Sequence, residues 1–168
     1  MCVLAKARGV VSDMPEYLYP IGAHIRIARS QLGFPYSHHG IYIGRRQVVH
    51  FHGHKAAQNK IARTGLDEFL NGQIKDEATV ATLNPLFSKG DIRARALSLV
   101  YVASGGVSES KIHPTTSLPE LQKMVTKYDL AANNCEHIAR WCVVGDRESG
   151  QVGEWIGPLG QLLVRLFE

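Results

Sequence analysis

Cysteine is scarce in this chain. The three present in 168 residues, Cys2, Cys135 and Cys142, cannot lay down a disulfide framework, and the odd number points to a reducing compartment. Apolar runs long enough to span a bilayer are missing. Residues 1–20 carry Asp13, Pro15 and Glu16 and lack the apolar core of a secretory signal. A cytoplasmic protein is expected. Internal repeats and low-complexity segments are absent, which removes solenoid and disordered-tail readings. Charge of one sign does not accumulate either. The 19 basic residues are scattered among 15 acidic ones for a net +4, with no aromatic-laced basic stripe. That argues against a nucleic-acid partner and favours, weakly, an anionic membrane surface. What remains is ordinary: 45 % hydrophobic residues over a length that can bury one core, so a single domain over 1–168 is expected.

Against this background one short stretch stands out: Asn133, Asn134, Cys135, Glu136, His137. The residues that follow, Ile138 to Val144 in the order IARWCVV, read as an amphipathic helix. Asn134 is a natural N-cap, since its side-chain oxygen can accept from an orphan backbone N–H of the first turn. Cys135 then opens the helix, where exposed N–H groups and the helix dipole favour thiolate over thiol. The spacing therefore predicts a nucleophile. The competing reading is a small core cysteine under a capped helix.

A nucleophilic cysteine needs a base, and the base needs a group that orients it. Residues 38–50, HHGIYIGRRQVVH, supply candidates. Two β-rich runs flank a polar turn at 44–47, a hairpin signal. Histidines begin the first run and one ends the second.

These blocks together resemble the lecithin–retinol acyltransferase family, a branch of the papain-like superfamily that includes small phospholipid-metabolising acyltransferases. The resemblance rests on His38-x-Gly40-Ile41-Tyr42-Ile43-Gly44, on Val48-Val49-His50 and on Asn133-Asn134-Cys135-Glu136-His137. The segments around 20–27, 66–70, 128–130 and 147–152 add to it. It implies Cys135 as nucleophile, His38 as general base, His39 as bystander and His50 as the third member that orients His38. Tyr36 is implied as an oxyanion or substrate contact, beside Asn134. The implied fold is α+β, a circularly permuted papain-like arrangement with a small antiparallel sheet packed against helices and the nucleophile at a helix N-terminus. The implied function is a thiol-dependent acyltransferase or phospholipase A. It would act on glycerophospholipid or other acyl esters through a cysteine thioester, with no cofactor, no metal and peripheral contact with membrane. A papain-like peptidase or amidase, and a non-catalytic interaction module, are the alternatives. Two departures from the pattern are Ile138, where the family usually has Phe, and a long 101–123 segment.

The triad sets a geometric condition. Alternate strand residues share a face, so a two-residue turn at Arg45 and Arg46 would pair Gly44 with Gln47 and put His38 and His50 on opposite faces. A three-residue turn would leave them four positions apart, roughly 13 Å at the strand rise. A bulge or strong local coiling is required.

Elsewhere, a strand is expected over 22–29, a short helix opening at 64–67 and strand character over 74–83. A helix capped by Ser88 is expected over about 89–103, with Ile92, Ala96, Leu99 and Ala103 on one face. Ser117 to Glu120 has capping-box form before a helix to about 127, and Gly145 is a natural end for the Cys135 helix. His50, His52 and His54 alternate and would share a strand face, a weak metal-site pattern; His52 and His54 read better as loop residues beside the cleft. Cys142, two helical turns after Cys135, reads as core packing. Leu159, Leu162, Leu163, Leu166 and Phe167 mark an amphipathic helix within 155–168 that packs on the domain or lies on a membrane surface.

Overall fold

The computed structural model describes residues 19–31, 34–53, 60–71, 79–81, 83–126 and 134–146. His54, the 128–130 and 147–152 segments and the expected helix within 155–168 lie outside them.

The architecture is α+β. Five antiparallel strands, β1 (His24–Gln31), β2 (Phe34–Gly44), β3 (Gln47–His52), β4 (Lys60–Gly65) and β5 (Thr79–Val80), lie in the spatial order β4-β3-β2-β1-β5. Among the described residues four helices accompany them: α1 (Leu66–Leu70), α2 (Lys89–Ala103), α3 (Leu118–Val125) and α4 (Cys135–Val144). A 3-10 turn, Glu109–Lys111, breaks the long 101–123 segment.

The caps explain where the helices start. Ser88 Oγ accepts from the Asp91 N–H, and Ser117 Oγ from the Glu120 N–H. Gly145 takes a left-handed φ of 74° after α4, the usual helix stop. The expected stripe on α2 is buried at Ile92, Ala96 and Leu99, with Val102 completing it more deeply than Ala103.

The sheet is covered on both faces. On one, Ile41, Val49, Phe51 and Ile61 pack against α2, α3 and α4. On the other, Ile25, Ile27, Tyr42 and Val48 pack against Leu66, Phe69 and Leu70 of α1. Strand alternation therefore sorts the described side chains of β1–β3 toward α4 or toward α1.

The β2–β3 hairpin meets the condition set by the histidines. Arg45 and Arg46 both have positive φ, 50° and 53°, as a two-residue type I′ turn requires, and Gly44 pairs with Gln47. The next pairs are Tyr42↔Val48 and Ile41↔Val49, so one residue, Ile43, is extra on β2. This bulge moves the ladder by one and returns His38 and His50 to the same face. Continued from Ile41↔Val49, the register sets Gly40 opposite His50. His38 is then only two positions away, roughly 7 Å along the strand.

Candidate active site

Helix α4 begins as its sequence suggests. Asn134 Oδ1 accepts from the N–H groups of Glu136 (2.9 Å) and His137 (3.1 Å). His137 Nδ1 in turn accepts from the Asn134 N–H at 3.2 Å, closing a capping box in which histidine takes the usual place of Glu or Gln. Asn134 and His137 are both buried, so the start of α4 is fixed from two sides. Cys135 is the first helical residue, and Ile138 and Cys142 behind it are packed in the core.

The Cys135 thiol is seated against the edge of β2. Its S–H donates to the Ser37 carbonyl at 3.8 Å, and the His39 backbone N–H points at the sulfur. Tyr42 exchanges backbone bonds with Gly22 and Ala23 on the β1 side, so the odd-numbered residues of β2 turn their polar groups toward β3. The β2–β3 ladder ends at Ile41↔Val49, which leaves Ser37 and His39 to the thiol. The sulfur thus occupies the edge flanking His38. Among the described residues no hydrogen bond joins it to the His38 imidazole.

The protonation state differs from the expectation of a thiolate. Burial pushes the Cys135 thiol up to about 11; the N–H groups of His39, Cys135 and Glu136 pull the other way and lose. Cys135 is only 6 % exposed, and the cost of desolvating sulfur outweighs the helix terminus. Cys142, wholly buried, is pushed to about 12 and behaves as the core residue expected of it.

His38 and His50 are brought together. His38 Nε2 lies 2.9 Å from His50 Nδ1, and the rings meet edge to face with centroids 5.0 Å apart. His50 Nδ1 also lies 2.8 Å from the Phe51 carbonyl oxygen, and His50 Nε2 lies 2.8 Å from Thr64 Oγ1 on β4. Phe69 of α1 stacks on His38 and meets His50 edge-on. Both imidazoles are held neutral: burial is the main cause, lowering His50 to about 4 and His38 well below 6.5, with His50 itself and Arg29 adding to the effect on His38. Tyr36 shares the His38 face by alternation. Burial holds its phenol above the ordinary value, and a charged Cys135 would raise it further, while Arg29 opposes both. Arg29, its cross-strand partner, donates to the Phe69 carbonyl at 2.6 Å.

Other features were not foreseen. His39, expected as a bystander to the triad, is a buried residue on the α4 face, its Nδ1 2.7 Å from His24 Nε2 on β1. Burial lowers His24 to about 3 and His39 to about 4, with Glu136 pulling both upward. Alternation alone puts adjacent His38 and His39 on opposite faces; the β1 register that supplies His24 is a long-range pairing invisible in the sequence. Arg95, also buried, is sandwiched between Phe87 (4.1 Å) and Trp141 (3.9 Å) and donates to the Trp141 carbonyl near the end of α4. His52 is the last residue of β3 rather than a loop residue, and its Nε2 lies 3.3 Å from a Glu68 carboxylate oxygen. Among the described residues no group of three or more His, Cys, Asp or Glu side chains is placed to hold a metal ion.

The family model described as lecithin retinol acyltransferase matches residues 18–148, most of the chain and all of the elements above. No curated protein matches the chain.

Proposed function

The chain belongs to the lecithin retinol acyltransferase family, whose members carry acyltransferase and phospholipase activity, and from that premise we propose a thiol-dependent acyltransferase or phospholipase A acting on glycerophospholipid acyl esters. Cys135 is the nucleophile, His38 the base, and His50 the residue that orients it. The observation that carries this reading is the seat of the Cys135 sulfur on the β2 edge at Ser37 and His39, either side of a His38 already tied to His50.

The resting pair is a neutral thiol beside a neutral imidazole rather than an ion pair. Proton transfer therefore accompanies attack. His38 Nε2 faces His50, so Nδ1 is the nitrogen left to take the S–H proton as sulfur adds to the ester carbonyl. The carbonyl oxygen gains charge near the N–H groups at the start of α4. The Tyr36 phenol, protonated at neutral pH, is a further donor on the His38 face. Collapse breaks the acyl C–O bond, the leaving alkoxide takes the proton from His38, and the acyl group remains on sulfur as a thioester. Water then gives hydrolysis, and an amine or alcohol gives transfer. Asn134 holds the helix start that aims the sulfur.

In this reading the chain is one such domain, cytoplasmic and reaching its lipid by peripheral contact. Among the described residues no helix is long and apolar enough to cross a membrane.

The test is intact-protein mass spectrometry after incubation with phosphatidylcholine vesicles, beside Cys135→Ala. An added acyl mass on the wild type alone, with the variant folded, is the expected result. A thiol that reacts with a general electrophile yet never acquires an acyl mass would move the assignment to a peptidase or amidase. An unreactive Cys135 would leave a binding module.

A further inference from the structure

On the α1 face of the sheet a row of polar atoms crosses three adjacent strands: Thr64 Oγ1 on β4, then both nitrogens of His50 on β3, then His38 Nε2 on β2. Thr64 and His50 are both buried, so water does not stand in for a missing partner. The chemistry of the neighbours limits where the protons sit. Phe51 O, 2.8 Å from His50 Nδ1, can only accept, and so favours His50 with its proton on Nδ1. In that form His50 Nε2 accepts the Thr64 hydroxyl proton. His50 Nδ1–H then faces His38 Nε2 as a donor, and the His38 proton sits on Nδ1. That is the nitrogen required as base, and it is blocked.

The base-competent form is the reverse. His38 must carry its proton on Nε2 and donate to a bare His50 Nδ1, which requires His50 to be protonated on Nε2. Its Nε2–H then needs a buried acceptor. Thr64 Oγ1 is that acceptor at 2.8 Å, and its own proton has a second outlet, the Gly65 carbonyl at 3.3 Å. A hydroxyl can turn from donor to acceptor by rotating one bond; no other atom within hydrogen-bond distance of His50 Nε2 among the described residues does so. Once His38 has accepted the thiol proton, the same arrangement lets His50 accept from the imidazolium.

We propose that Thr64 is a positioning residue for the acyl-transfer chemistry: its hydroxyl can accept as well as donate, which makes the Nε2–H form of His50 accessible and so lets His38 Nδ1 act as base. This rests on the His38 and His50 roles given above, but its spectroscopic arm does not.

The experiment compares wild type, Thr64→Val and Thr64→Ser. Long-range 15N–1H NMR of the imidazoles reads which nitrogen of His50 is protonated, with His50→Gln to assign the signals. The wild type and Thr64→Ser should populate the Nε2–H form, and Thr64→Val should show Nδ1–H alone. With phosphatidylcholine as substrate, Thr64→Val should lose about tenfold to a hundredfold in kcat, the worth of a hydrogen bond to a developing charge, with KM little changed and Thr64→Ser restoring the rate. Identical His50 protonation in wild type and Thr64→Val overturns the proposal, whatever the activity. So does a wild-type kcat in Thr64→Val. If no variant, wild type included, turns over the lipid, the lipid reading fails while the NMR comparison still decides the role of Thr64. A Thr64→Val protein that does not fold is replaced by Thr64→Ala, read in the same two ways.

Discussion

Acid should destabilise this protein steeply from about pH 6.5 downward, before its carboxylates titrate. Burial lowers His24 to about 3, His39 to about 4 and His50 to about 4, and holds His38 well below 6.5. In the unfolded chain each takes its proton near pH 6.5. Between about pH 6.5 and 4 the unfolded state therefore binds more protons than the folded one, and stability falls as pH falls. His24, His39 and His50 are each about 97 % buried or nearly so, so solvent screening does little to soften the effect. At pH 4.5 each forfeits about 2.5 kcal/mol relative to pH 7.5, about 8 kcal/mol for the three, and His38 acts in the same direction. A domain with a total stability of about 5–15 kcal/mol loses much of it on this account alone. The assay is urea unfolding at steps from pH 7.5 to 4.5. Near pH 5 the free energy should change by about 4 kcal/mol per pH unit, the signature of three protons, and His50→Gln should remove about one of them. Stability that stays within about 1 kcal/mol from pH 7.5 to 5 would refute the reasoning, because it would mean these imidazoles can charge where they sit.

Two further outcomes follow from the same packing. Trapping of Cys135 by iodoacetamide, followed by peptide mass spectrometry, should still be accelerating above pH 9, since burial pushes the thiol up to about 11; a plateau near pH 8 would show a hydrated or charge-stabilised sulfur. Gly40 lies beside the His38–His50 row, and a Cβ there would stand 2.5 Å from Val48 Cγ1 and 3.0 Å from Phe69 Cε2. Gly40→Ala should lose about 1–3 kcal/mol in urea unfolding through overpacking, and a variant as stable as wild type would show that Phe69 is not pressed against the row.

Much of this was legible because it is local. Ser88, Ser117, Asn134 and Gly145 mark helix ends by chemistry that acts within one turn, and α2, α3 and α4 begin and end close to where those residues place them. The hairpin was legible for the same reason. What was not legible depends on strands meeting across the sheet or on depth. His24 meets His39 only through the β1–β2 register, and Thr64 meets His50 only through β3–β4. Arg95 is buried only because Phe87 and Trp141, from elsewhere in the chain, close over it. For the Cys135 thiol the two levels oppose each other: the helix start and its N–H donors are visible in the sequence, whereas the burial that overrides them is a property of the assembled sheet and helices.

The Ile43 bulge ties these levels together, because it chooses between two adjacent histidines. With Gly44 paired to Gln47 and no extra residue, His50 would face Ile41, and the odd-numbered residues of β2 would share its side. His39 would then be the neighbour of His50, and His38 would turn toward α4. One inserted residue reverses this. It delivers His38 to His50, Thr64 and Phe69 on the α1 face, and sends His39 to His24 and Glu136 on the α4 face. The lateral direction of the backbone changes with it: with Gly44 bonded to Gln47 and no extra residue, the even-numbered residues of β2 would turn their polar groups toward β3, and Ser37 and His39 would turn theirs toward β1 and away from the thiol. The nucleophile seat and the choice of base are therefore set together by the one extra residue, so a register change that exchanged the base would also take the Ser37 and His39 edge away from the sulfur.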